Sequence, residues 1–350
     1  MSGGFELDVD AERWRRHLTT VVEATPGIVP VVKGNGYGLG RDLLAAESTR
    51  LGLGTIAVGT YREVPEALAA FGGDVMVLTP WRPFFDHVVL DDRVIHTMSR
   101  VEDIAALAAA APGARVLLEG ETSMARHGLD RHELAAAVGV LGDLQVEGFA
   151  IHLPLGPNGR AGGNFAEAQS WAAVLEASQV ETTTLYVSHL TAAELTALRT
   201  HRPNLDVRPR IGTSLWLGDL GALSVHATVL DAHLVARGER IGYRQKPMPR
   251  DGTLLVIAGG TSHGIGLEAP KASSGAVQRG KLLAKGGLEA AGFSLSPFTI
   301  AGKQRWFAEP PHMQASMIFL PAGSTAPEVG TDVDVAVRFT TATFDAVNLR

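Results

Sequence analysis

The sequence predicts an α/β fold, a (β/α)8 TIM-type barrel followed by a mostly β C-terminal domain. Three observations predict it. Apolar, β-branched runs alternate with Ala/Leu-rich helical stretches through the first two-thirds of the chain, and alternating units of that kind demand parallel strands. Eight such runs fall within roughly 200 residues, which favours a closed barrel over an open sheet. Near Gly221 the helical periodicity stops, and strand-like runs punctuated by turn residues take over. The 350 residues suit about two domains, expected at 11–222 and 223–350. Phe5, Leu7 and Val9 alternate with Glu6, Asp8 and Asp10, so residues 1–10 read as a strand ahead of the barrel that is free to join the second domain.

In order, the expected barrel strands are Ile28–Lys33, Thr55–Val58, Asp74–Leu78, Arg93–His96, Arg115–Glu119, Val146–His152, Thr184–Ser188 and Val207–Arg210. Helices are expected at Arg41–Leu51, Tyr61–Phe71, Trp81–Leu90, Ser99–Ala110, Arg131–Val140, Asn164–Ala177 and Thr191–Thr200. In the second domain, strands are expected at Val225–Ala236, Thr253–Ala258, Gln304–Ala308, Ala315–Leu320 and Asp332–Phe339. The last alternates cleanly through Val333, Val335, Val337 and Phe339, as a half-buried strand should. The Gly/Ser/Ala/Lys-rich stretch Ala269–Gly292 reads as a long loop with a short helix.

Composition narrows the function. Hydrophobic residues make up 45% of the chain and can fill a core, and a formal net charge of −6 gives no support to nucleic-acid binding. The absence of cysteine excludes disulfides, zinc–thiolate sites and cysteine nucleophiles. The opening residues lack the apolar core of a secretory signal, and no apolar run of about 18 residues marks a membrane helix. A cytoplasmic protein acting on a small molecule is the expectation. The 12 histidines form no H-x-H or H-E-x-x-H cluster, so a metal-dependent barrel hydrolase is disfavoured and no metal site is expected.

The most informative string is Val31-Val32-Lys33-Gly34-Asn35-Gly36-Tyr37-Gly38-Leu39-Gly40. It ends the first barrel strand, on the face where barrel active sites lie. A lysine leaving an apolar strand is poorly hydrated, which lowers its pKa and favours nucleophilic or Schiff-base chemistry. Its four glycines allow close approach of backbone to a ligand. The plainer reading is a lysine that snorkels out before a flexible loop.

VVKGNGYGLG resembles the cofactor-lysine signature of the alanine racemase family, in which the lysine carries pyridoxal 5'-phosphate covalently and a tyrosine four residues on contacts the phosphate. The resemblance gives those roles to Lys33 and Tyr37. Further motifs follow in the family's order. Glu119 to Gly128 (EGETSMARHG) is similar to a segment ending in Met-x-Arg-x-Gly, whose arginine faces the cofactor and the substrate carboxylate; this implies Arg126, oriented by Glu119, where many members have a carbamylated lysine. Val146–His152 ends like the strand whose histidine stacks on the pyridine ring, implying His152. In Val187–Ala193 the resemblance to a phosphate-contacting turn implies Thr191, which alternatively only caps the next helix. Arg210-Ile211-Gly212-Thr213 resembles the segment whose arginine bonds the pyridine nitrogen and whose next backbone amides hold phosphate, implying Arg210, Gly212 and Thr213.

The resemblance weakens in the second domain. The family's tyrosine base falls at Gly260 here, and no tyrosine follows Tyr243. His263 is the nearest residue with a useful pKa and is the expected second catalytic group beside Lys33; a tight Gly-rich turn is the alternative. His312-Met313-Gln314 resembles the substrate-gating segment and implies Met313 as a substrate contact. The resemblance thus implies a pyridoxal-phosphate-dependent amino-acid racemase, an isomerase abstracting the Cα proton, acting as a homodimer on a small-molecule amino acid. Two alternatives stand beside it: cofactor binding on a racemase scaffold without turnover, and one-sided chemistry such as aldol cleavage.

Overall fold

The computed structural model describes residues 3–156, 162–267 and 294–350; the stretch expected to be a long loop, Ala269–Gly292, lies outside them. In chain order the elements are β1 (Phe5–Val9), α1 (Ala11–Ala24), β2 (Val29–Pro30), α2 (Arg41–Arg50), β3 (Thr55–Val58), α3 (Val64–Ala70), β4 (Asp74–Val77), β5 (Val94–Met98), α4 (Val101–Ala110), β6 (Arg115–Gly120), α5 (Arg131–Gly139), β7 (Gln145–Ile151), α6 (Gly163–Ala177), β8 (Thr184–Val187), α7 (Ala192–His201), β9 (Asp206–Ile211) and α8 (Thr213–Trp216). They continue as β10 (Leu223–Val235), β11 (Arg240–Ile241), β12 (Lys246–Pro247), β13 (Gly252–Ala258), β14 (Leu295–Ile300), β15 (Lys303–Phe307), β16 (Ala315–Pro321), β17 (Asp332–Val335) and β18 (Ala346–Leu349). The chain divides into two compact units, one of residues 15–36 and 40–218, the other of 1–14, 37–39 and 219–350.

The first unit is the expected barrel. Its strands pair in parallel in the order β2-β9-β8-β7-β6-β5-β4-β3, and a parallel bridge between Val31 and Ala57 closes the ring. The interior is filled by Val29, Val31, Ala57, Met76, Ile95, Leu117, Ala150 and Tyr186, all buried. Small Ala57 and Ala150 leave room for Met76 and Tyr186, the size alternation that fills a barrel of this diameter. At the N-terminal ends of the strands, Arg115 at the start of β6 reaches Asp74 of β4 through both terminal guanidinium nitrogens (2.7 and 2.9 Å) and Glu147 of β7 through Nε (2.6 Å), a three-strand clamp of charge-assisted bonds.

Two expectations for the barrel need correction. Trp81–Leu90 is not a helix. Pro80 and Pro83 flank its start, and each pushes the preceding residue out of the helical region. Arg82 instead turns inward to Ser99 and Asp103. The first strand is also shorter than Ile28–Lys33, because Pro30 has no N–H for the ladder. Pairing survives through the Val31 and Val32 amides, which donate to Ile211 and Ala57, and the Trp216 indole N–H donates to the Val31 carbonyl (2.9 Å).

The second unit is an eight-stranded sheet ordered β13-β16-β15-β14-β17-β10-β1-β18, in which β13 also pairs with β10. Six strands therefore close on themselves. β10 is long enough to serve three partners because its register shifts between Val229 and Asp231, a bulge that bends the strand. The N-terminal strand β1 is antiparallel to β10, with Phe5, Leu7 and Val9 fully buried. The strand expected over Asp332–Phe339 stops at Val335; the chain turns where the Thr341 and Ala342 amides return to the Arg338 carbonyl. β14 and β18 went unread, β14 because Pro297 sits inside it and argues against a strand.

Candidate active site

Lys33 stands at the C-terminal end of the first barrel strand, two residues past the bridge that closes the ring. Gly34 and Gly36 both have φ of +62°, and a Cβ on Gly36 would lie 2.6 Å from the Arg41 amide nitrogen, so glycine is required there. Glu63 accepts the N–H of Gly34 (3.3 Å) and of Gly59 (2.8 Å), tying the ends of two neighbouring strands together. Lys33 is exposed as a residue. Partial burial of its ammonium lowers its pKa, and the positive charges of Arg126 and Arg210 lower it further, while Glu63 pulls the other way. A larger fraction of free amine is the result.

Arg126 rides on a closed loop. Glu121 and Leu129 bond across its base, with Glu121 N–H to Leu129 carbonyl at 2.8 Å and Leu129 N–H to Glu119 carbonyl at 2.7 Å. Ala125 is held left-handed at φ +51°, and a Cβ on Gly128 would meet the Glu121 nitrogen at 2.2 Å. Buried Glu167 on α6 accepts both the N–H (2.6 Å) and the hydroxyl (2.5 Å) of Ser123, and Thr122 donates to the His152 carbonyl (2.6 Å). The guanidinium of Arg126 is exposed and has no hydrogen-bond partner among the described residues. Glu167→Ala will strip two donors of their acceptor and is expected to cost about 2 kcal/mol, read as a lower urea midpoint; Glu167→Gln, which keeps one acceptor oxygen, will lose less.

Glu119, the last residue but one of β6, is buried and leaves Oε2 without a partner. Burial raises its pKa against the opposing pull of Arg210, Arg126 and Arg82. The expected hydrogen bond to Arg126 is not formed. Glu119 acts on both arginines through space, Arg210 most strongly. Arg210, the last residue but one of β9, is buried; one terminal nitrogen donates to the Ile151 carbonyl (3.0 Å) and its Nε–H has no acceptor. His152 follows β7. Burial first, then Arg210, Arg126, His189 and Lys33, drive its pKa down to about 3, so the ring is neutral and its Nδ1 lies 3.2 Å from the Ser188 hydroxyl. Gly212 and Thr213 open α8, and the Gly212 carbonyl takes the Leu215 and Trp216 amides. Thr191 caps α7 in a reciprocal box with Glu194, and its hydroxyl is spent on that cap. Lys33, Glu119, Arg126, His152 and Arg210 therefore gather at one mouth. Sequence reasoning missed Ser188, His189, Thr122 and Glu167, which hold or join this group. The sequence signal for Ser188, His189 and Thr122 is their place at or just after strand ends; Glu167, inside α6, carries none.

Tyr37, His263 and Met313 belong to the other unit. Tyr37 is buried, left-handed at φ +56°, and burial raises its pKa to about 12. His263 is buried against Phe5, with ring centroids 5.3 Å apart. Its Nδ1 accepts the Gly260 N–H (3.1 Å) and its Nε2 pairs with Asp345 (3.1 Å), so neither nitrogen is open to a ligand. A Cβ on Gly260 would lie 2.2 Å from the His312 carbonyl oxygen, so no side chain fits where the tyrosine was expected. Met313 is exposed, and its carbonyl accepts the amide and hydroxyl of Ser262.

Comparison with known proteins gives this geometry a context. The sequence model "Alanine racemase, N-terminal domain" matches residues 9–219. The alanine racemase of Campylobacter concisus is 27% identical over 145 residues, a stretch covering 41% of this chain and 41% of that protein; the match thus spans well under two thirds of the relative. Among solved structures, alanine racemase from Bartonella henselae with covalently bound pyridoxal phosphate is similar at a TM-score of 0.72 and 17% identity, covering 97% of this chain and 98% of that one. Histidine racemase from Leuconostoc mesenteroides is similar at a TM-score of 0.66 and 19% identity, covering 95% and 88%. At such identities the structures establish the fold.

Proposed function

The chain belongs to the alanine racemase family, and on that premise we propose that it is a pyridoxal-phosphate-dependent isomerase that moves the Cα proton of an amino acid. The observation that carries the reading is the buried Arg210 Nε–H left without an acceptor. A buried donor unsatisfied in the protein costs about 1–3 kcal/mol, and an aromatic ring nitrogen would satisfy it. The residues present fit the cofactor in other respects. Lys33 offers an amine of lowered pKa, and His152 a neutral ring. The Gly212 and Thr213 amides are groups the family resemblance assigns to the phosphate; Thr191, engaged by Glu194, is left to its cap.

Bound pyridoxal phosphate supplies delocalisation of the electron pair that a departing Cα proton leaves behind. The chain's own groups do the rest. Arg210 cannot give up its proton, so it would hold the ring nitrogen as an acceptor and keep the electron sink weak, which suits a proton that leaves and returns. Glu119 offsets the two arginine charges that would otherwise repel each other. Arg126, exposed on its rigid loop, would bind the substrate carboxylate. Lys33 would take or return the proton on one side of Cα.

The substrate side chain stays open, since the fold is shared by racemases of alanine and of histidine. One observation favours the second reading, cofactor binding without turnover: Gly260 cannot carry the base expected there. A homodimer in the cytoplasm is part of the proposal. Light scattering is expected to give twice the 36.9 kDa chain mass. The deciding experiment is a spectrum of the purified protein before and after borohydride, followed by deuterium wash-in at Cα across an amino-acid library. Visible absorbance bleached by borohydride, with exchange for at least one amino acid, is the expected result. Absorbance without any exchange would leave a binding protein, and a colourless chain that stays colourless with added pyridoxal phosphate would overturn the proposal.

A further inference from the structure

Inverting a carbon centre by removing and replacing a proton needs a carrier on each side of that carbon, because one group cannot reach both faces. Lys33 is one carrier in the reading above, on which this inference rests. His263 is not open for the second role, having both nitrogens engaged. The barrel mouth itself holds an imidazole that nothing so far has used. His189 follows β8 in a left-handed conformation, φ +55°, which is strained for a non-glycine residue and persists only when its surroundings hold it there.

Those surroundings are visible. The buried Asn164 side chain donates to the His189 carbonyl (3.1 Å) and to the Pro154 carbonyl (2.9 Å), so α6 fixes the turn. The His189 ring stands edge-on to His152, with centroids 5.1 Å apart and planes at 88°. Neither of its ring nitrogens has a hydrogen-bond partner among the described residues. His189 is exposed as a residue; partial burial of its ring, and then the charges of Lys33, Arg210 and Arg126, lower its pKa below that of a free histidine. A neutral, unpartnered imidazole aligned by strained backbone beside the cofactor-facing histidine is a base awaiting a proton.

We propose that His189 is the second catalytic acid–base, serving the side of Cα that Lys33 does not. In one direction the Cα–H bond breaks, its electron pair stays with the substrate, and the proton goes to the His189 imidazole. The Lys33 ammonium then gives its proton to the opposite side, forming the new C–H bond. In the other direction the neutral Lys33 amine takes the proton and the His189 imidazolium gives one. Proton exchange of both groups with water resets the pair.

The test compares the holoprotein with His189→Asn, which tolerates the left-handed backbone, and His189→Gln. Histidine NMR of the protein without amino acid should contain a ring signal that is neutral at pH 7 and missing from both variants. Affinity for pyridoxal phosphate, read by absorbance, should change by no more than about threefold, as befits a group that does not hold the cofactor. With enantiopure amino acid in deuterium oxide, inversion should fall by roughly 10²–10⁴-fold while one enantiomer still gains deuterium with its configuration kept. Inversion within threefold of the parent in either variant would overturn the role of His189 and leave the isomerase reading intact. So would an equal loss of exchange from both enantiomers with cofactor still bound. Absence of exchange in the parent would overturn both readings.

Discussion

Replacing Lys33 with alanine is expected to leave a folded protein that no longer takes colour from pyridoxal phosphate. The residue is exposed and its side chain makes no hydrogen bond among the described residues, so stability should change by less than about 0.5 kcal/mol. Its amine is the group in the barrel mouth whose lowered pKa suits bond formation with an aldehyde. Borohydride treatment of the parent should fix the cofactor's mass on the peptide that contains Lys33 and on no other. Exchange of the Cα proton should fall to the detection limit in Lys33→Ala. Retention of bleachable absorbance by this variant would show that another amine carries the cofactor.

Placing even one carbon at position 260 is expected to cost far more stability. Its Cβ would lie 2.2 Å from the His312 carbonyl oxygen and 2.6 Å from the Met313 carbonyl carbon, both backbone atoms that cannot swing aside. The Thr261 amide bonds that same carbonyl at 2.8 Å, so relief would break a neighbouring bond. We expect Gly260→Ala to lose about 3 kcal/mol and Gly260→Tyr to fold poorly or not at all. Gly139 ends α5 with nothing within 4 Å of its would-be Cβ, and Gly139→Ala should be neutral or stabilise by about 0.5 kcal/mol. Urea midpoints of the two alanine variants measure both effects. The practical meaning is that restoring a tyrosine by substitution at 260 is closed to this backbone.

The barrel was legible because each strand is a short apolar run between helices with their own periodicity, a local signal that tertiary packing reinforces. Trp81–Leu90 failed where two prolines outweighed a helical pattern. The strand beyond Val335 failed because alternation carries no record of where a partner strand ends. The site residues at strand ends, Lys33, Glu119, His152 and Arg210, could be read because position on the barrel gives them a common destination. What could not be read is how a side chain spends its hydrogen bonds. Thr191 gives its hydroxyl to Glu194, His263 gives both nitrogens to its own unit, and Glu119 reaches Arg126 only through space. His189 stood in plain sight in the sequence, but its importance rests on a backbone angle and on Asn164, a partner 25 residues away in the chain.

The closed base of the Arg126 segment has one more consequence. A cation mounted on a stiff bracket, cinched at Glu121 and Leu129 and clamped by Glu167, would, in the proposed role, meet an incoming carboxylate without first having to be ordered. Admission would then be governed by charge and by diffusion, and discrimination among amino acids would fall to whatever meets their side chains. Amide exchange should trace that bracket directly, slow at Glu121, Ser123 and Leu129, whose amides are bonded within it, with little change when an anion arrives.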